Sequence, residues 1–145
     1  MLLMDEGDHA GARLYYERAA DQGEFAAQCN LALMLHKGEG APKDWIKARH
    51  LYELAAAQGD HVAAGNMRVL NKEMSAYASK GIHFPGKILR VHGLQSKPEY
   101  NGKTAQVVDW DGRRGRYAVH LNGPEGTTIS LKPGNLLDPE APEEV

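Results

Sequence analysis

Residues 16–23 read YERAADQG and residues 52–59 read YELAAAQG. The phrase recurs after 36 residues. Aligning 12–31 with 48–67 gives identities at Ala12, Arg13, Tyr16, Glu17, Ala19, Ala20, Gln22, Gly23, Ala27 and Asn30, 10 of 20 positions. A period of this size belongs to stacked helix pairs, each of which buries its apolar face only against its neighbours. The pattern inside each copy is helical. Trp45, Ala48, Leu51, Tyr52 and Ala55 share one stripe, and Ala27, Leu31 and Met34 share another. The spacing predicts helices over 8–22, 24–37, 44–58 and 60–79. Asp44 follows the loop GEGAPKD as an N-cap. Gly23 and Gly59 stand where a helix ends in a left-handed residue. Ala63, Met67, Leu70, Met74 and Tyr77 extend the stripe of the last helix, and Gly81 ends it.

After KGIHFPG (80–86) the period becomes two. Leu89 and Val91 alternate with Arg90 and His92; Tyr117, Val119 and Leu121 alternate with Ala118 and His120; Thr127, Ile129 and Leu131 continue the pattern. Turn signals EYNGKT, DGRRG, NGPEG and KPGN separate these runs. Strands are predicted near 87–92, 104–110, 115–121 and 127–132, with a final short one near 136. Several short strands in so small a segment suggest an SH3-like barrel. The fold class is therefore α+β: a short antiparallel helical-repeat solenoid of about four helices, then a small all-β SH3-like barrel. The divisions expected are 1–80, 81–137 and an acidic tail over 138–145. The barrel is expected to pack on the helix at 60–79 in place of a further repeat, with Ile82 and Phe84 as the staple.

The 145 residues carry 42% hydrophobic and 25% charged side chains, a globular composition. Net charge is −2, so no global attraction to nucleic acid or anionic membrane is implied. Residues 1–80 hold 9 basic and 11 acidic residues, a net of −2, whereas 81–137 hold 8 and 4, a net of +4. The tail DPEAPEEV adds four acids and no base, and such a composition reads as disordered. No apolar run reaches the ~18 residues of a membrane span. MLLMDEG is too short and acidic for a signal peptide. With Cys29 the lone cysteine, an internal disulfide is excluded, which fits a reducing, cytoplasmic setting.

Ala19-Ala20-Asp21-Gln22-Gly23, Ala27-Gln28-Cys29-Asn30-Leu31, Gly38-Glu39-Gly40 with Asp44, and Lys47-Ala48 with Tyr52 resemble the Sel-one-like repeat family, relatives of the tetratricopeptide solenoids. Ala32, Leu35 and Ala41 depart from the family's preferred Gly, aromatic and Val. The resemblance covers about 8–67. It implies a right-handed solenoid that binds other proteins, and no chemistry. Residues 2–4, LLM, look like the last turn of a helix whose body is missing, so a fragment of a longer protein, or a homodimer through the truncated N-terminal helix face, is a further expectation. The segment 86–137 resembles small barrel tails found beside zinc-finger and ankyrin modules in proteins of unicellular eukaryotes. Gly93-Leu94, Pro98-Glu99, Asn101-Gly102-Lys103, Gly115-Arg116-Tyr117 and Leu131-Lys132-Pro133 with Asn135-Leu136 carry that likeness.

Chemistry is sparse. His9, His36, His50, His61, His83, His92 and His120 show no metal-ligand spacing, and read as scattered surface residues. Cys29 lies in a helical stripe and reads as a buried structural thiol. The GEG at 38–40 lacks the Lys-Ser/Thr and the strand of a phosphate loop. No catalytic residue, cofactor or metal is expected, and the chain reads as a non-enzyme. The residues singled out for binding are Tyr100, Trp110, Arg113, Arg114, Arg116 and Tyr117. Cations interleaved with aromatics hold an acidic or proline-rich peptide, a nucleic-acid backbone with stacked bases, or a methylated lysine. The plainer reading makes Tyr117 core and the arginines a solvated turn. The leading function is an adaptor or scaffold that binds protein partners through the helices. Nucleic-acid binding through the basic hairpin is the alternative, and an accessory part of a larger enzyme is the third.

Overall fold

The computed structural model of the chain describes residues 8–121 and 126–139. The expected helical turn at 2–4, most of the NGPEG turn and all but the first two residues of the acidic tail lie outside them. The chain divides into two compact units between Gly81 and Ile82. The first holds α1 (His9–Asp21), α2 (Phe25–Lys37), α3 (Trp45–Ala57) and α4 (His61–Ser79). The second holds β1 (Ile88–Val91), β2 (Thr104–Asp111), β3 (Arg116–Leu121), β4 (Thr128–Leu131) and β5 (Leu136–Leu137), with 3-10 turns at Pro98–Tyr100 and Pro133–Asn135. The fold class is α+β, a helical repeat followed by an antiparallel sheet.

The 36-residue period is written into the helix ends. Asp8 caps α1 by accepting from Gly11 N–H, and Asp44 caps α3 by accepting from Lys47 N–H. At the other ends Gln22 and Gly23 N–H bond back to the Ala19 and Ala20 carbonyls, Gln58 and Gly59 N–H to those of Ala55 and Ala56, Gly23 and Gly59 turn left-handed at φ 87° and 98°, and Glu24 and Asp60 N–H close onto Ala19 and Ala55 carbonyls at 3.2 Å. The last carbonyls of the helix thus find donors within the turn. Each helix then packs on the next through small residues: Ala32, Ala48, Ala55 and Ala63 have no exposed surface. Without long side chains the backbones close in, and Tyr52 and Leu70 fill what remains.

In the second unit alternation puts Leu89, Val91, Ala105, Val107, Tyr117, Val119 and Leu121 on one face, where with Leu131 and Leu136 they form the core. Ile82 packs against it. The strand order is β4-β3-β2-β1-β5, all neighbours antiparallel. The expected closed barrel is not present in the hydrogen bonding. β4 and β5 are two edges of an open sheet, since Pro133 breaks the strand and the 3-10 turn carries the chain from β4 across to β1. The β2–β3 register shifts between Val107 and Asp109. That extra residue reverses the phase of the strand, so Trp110 joins Ala105 and Val107 on the core face.

Candidate functional site

Two grooves run along the helical unit. The first lies between α1 and α3 and is lined by Glu17, Ala20 and Asp21 from one side, Lys47, His50, Leu51 and Leu54 from the other, and Leu31 beneath. Its floor is apolar and its rim carries both signs of charge. Leu54 is 40% exposed there, an apolar surface left open at the groove's edge. The second groove lies between α2 and α4, where Leu33, Asn66 and Val69 surround His36 and Glu73.

His36 is the residue that the sequence reading placed wrongly. It is buried, not a surface histidine. Its Nδ1 is 3.3 Å from the Tyr52 hydroxyl and its Nε2 is 3.0 Å from Glu73 Oε1. Burial, then the nearby Cys29 and Glu73, push the Tyr52 phenol well above its ordinary value, so it keeps its proton. The His36 tautomer with its proton on Nε2 satisfies both contacts: Nε2–H donates to Glu73 and Nδ1 accepts from the Tyr52 O–H. Trp45 Nε1–H donates to the His36 carbonyl at 2.9 Å, and the Trp45 and Tyr77 rings lie 5.0 Å apart. The set ties α2 to α3 and α4. A signal was available in the stripe: His36 falls one turn after Ala32, on the buried face.

Cys29 is buried, and burial first, with Asp60 second, raises its thiol pKa. The thiolate needed for nucleophilic work is thereby disfavoured. Among the described residues no group of three or more His, Cys, Asp or Glu could hold a metal ion, and no helix is long and apolar enough to cross a membrane.

The six binding candidates of the sheet unit do not form one cluster. Tyr117 is a core residue, 2% exposed; its hydroxyl accepts from His83 N–H at 3.0 Å and its ring lies 4.5 Å from that of Trp110. Arg113 and Arg114 occupy the β2–β3 turn, where Asp111 accepts from both backbone N–H groups at 3.0 and 3.3 Å. These arginines share a shallow groove with Trp110, Asp109 and Asp111, so their charge is locally offset. Tyr100 stands apart on the first 3-10 turn, with the Lys97 and Lys103 ammonium groups each 5.8 Å from its ring centre. Arg116 lines both the hairpin groove and a second concavity that contains Tyr100.

Comparison with known proteins bears on the first unit. Residues 5–24 and 25–60 match the family model described as Sel1 repeat. A protein named DAP3-binding cell death enhancer 1, from Rattus norvegicus, is 46% identical over 42 residues, and one of the same name from Mus musculus matches to the same extent. The match covers 29% of this chain and 8% of either relative, so the chain spans under a tenth of their length. No solved structure matches. The family match stops at residue 60, so the likeness of 86–137 to tails beside zinc-finger and ankyrin modules gains no support from it. The 36-residue period, the paired glycine turns and the family match agree that residues 5–60 of the helical unit are similar to Sel1 repeats, a likeness that suggests a protein–protein interaction module.

Proposed function

We propose that this chain is a non-catalytic adaptor or scaffold of the cytoplasm, holding a segment of a protein partner in the groove between α1 and α3. The observation that carries the reading is that groove itself, built by Sel1 repeats with a half-exposed Leu54 at its edge. An apolar floor with mixed charges on its rim suits an amphipathic peptide or helix. The sheet unit, whose strand order and 3-10 turn support an SH3-like reading, serves as a second binding surface. The relatives' name supplies a first candidate partner, DAP3. Purified DAP3 and source lysate should be passed over immobilised wild-type chain and over Leu54→Glu. A carboxylate at a desolvated groove position should weaken capture by about tenfold or more, with the circular dichroism spectrum unchanged. Partners retained equally by both would refute this placement.

A further inference from the structure

We propose that the sheet unit binds an acidic, leucine-containing peptide segment of a protein partner in the concavity between the β1–β2 loop and β4. The lining that matters is Leu94, Lys97, Tyr100, Arg116, Ile129 and Lys132. Leu94, Tyr100 and Ile129 are partly buried against the sheet core and give an apolar floor. Lys97, Arg116 and Lys132 stand over it, and the lining contains no carboxylate. Glu99 shares the 3-10 turn with Tyr100 but lies outside the lining. Among the described residues no carboxylate engages these three cations. The neighbouring hairpin groove, which shares Arg116, is different, because Asp109 and Asp111 sit beside Arg113 and Arg114 there, whereas Lys97 and Lys132 line only the β1–β2 concavity. An anionic ligand therefore gains more at the β1–β2 loop than at the hairpin.

The concavity is preorganised. Leu94 N–H donates to Asn101 Oδ1 at 2.9 Å and Asn101 Nδ2 donates back to the Leu94 carbonyl at 3.0 Å. His92 N–H donates to the Asn135 carbonyl, and Asn135 Nδ2 donates to the His92 carbonyl, both at 3.0 Å. A loop pinned at both ends loses little freedom when a ligand arrives. The floor selects a peptide over a nucleic acid. Stacking successive bases needs several free rings. Here Trp110 packs towards the core, Tyr117 is within it, and the Tyr100 ring already carries Lys97 and Lys103. Leucine side chains match Leu94 and Ile129, and glutamates match the cations.

The test uses the full chain and fluorescence anisotropy of a short labelled peptide alternating glutamate and leucine. Two charge-matched double variants run beside the wild type: Lys97→Glu with Lys132→Glu, and Arg113→Glu with Arg114→Glu. All four residues are exposed, so folding is spared. The first pair should weaken binding by about tenfold or more, and the second by no more than about twofold. A peptide with serine in place of leucine should bind more weakly than the parent. The proposal stands independently of the helical groove, so Leu54→Glu should leave this affinity unchanged. Equal losses in the two double variants would mean diffuse attraction and overturn the site. Loss in the hairpin pair alone, absence of binding by the wild type, or capture of a single-stranded oligonucleotide in preference to the peptide would overturn it as well.

Discussion

Two glycines of the helical unit are left-handed for different reasons, and replacing each with alanine separates those reasons. Gly59 has φ 98°, and a Cβ placed on it would meet nothing within 4 Å. Its constraint is conformational alone. An L-residue held left-handed costs about 1–2 kcal/mol. The stiffer unfolded chain returns about 0.4–1 kcal/mol. Gly59→Ala should therefore destabilise by about 1 kcal/mol, and Gly59→Asn by less, because asparagine tolerates this region. Gly40 has φ 75°, and its Cβ would lie 2.4 Å from the His9 carbonyl oxygen. That oxygen belongs to backbone in the first turn of α1 and cannot rotate away, so the loop between α2 and α3 must part from α1. Gly40→Ala carries the same strain plus this clash, and should cost about 3 kcal/mol or more. The assay is urea denaturation followed by far-ultraviolet circular dichroism, with thermal midpoints as a second reading. Each kcal/mol should lower the midpoint by about 4–8 °C. If Gly59→Ala cost as much as Gly40→Ala, or if asparagine at 59 were worse than alanine, the division between strain and contact would be refuted.

Other outcomes follow from the titratable groups. Burial, reinforced by the Lys87 charge and opposed by Asp138, lowers the His83 pKa in the folded chain. As pH falls through the ordinary histidine value of about 6.5 the unfolded chain takes up this proton first, so folded stability drops. His83→Gln should flatten the change in thermal midpoint between about pH 7.5 and about pH 5.5; an unaltered slope would show that His83 contributes nothing. Cys29 should resist thiol reagents at neutral pH until denaturant is added, since it is buried with a raised pKa; rapid modification of the native chain would contradict that burial.

Much of the fold was legible because it rests on local rules. The QG turns are helix ends that only a left-handed residue completes, so they read directly as boundaries. Gly23 and Gly59 fall at them, and Asp44 starts α3 as its position implied. The strands likewise fell where alternation and turn residues placed them. The binding candidates were less legible, because their value depends on which face a residue takes and what stands opposite. Trp110 and Tyr117 read as candidate binding aromatics beside arginines, with a core Tyr117 as the plainer reading. One extra residue in β2 turned Trp110 towards the core, where it meets Tyr117. His36 read as one of seven scattered histidines, yet Tyr52 and Glu73, distant in sequence, bury and bond it.

The sequence by itself determined the 36-residue period, the ends of the helices, the change from helix to strand after Gly81 and the exclusion of a disulfide within these 145 residues. Each follows from backbone stereochemistry, side-chain periodicity or a residue count, and none requires knowledge of distant neighbours. Only the tertiary structure decided that the sheet stays open between β4 and β5, that Asp111 is committed to the hairpin turn, and that Lys97, Arg116 and Lys132 gather over one apolar floor. Those outcomes depend on register, strand order and the electrostatics of residues brought together across the sheet, which alternation along one strand does not encode.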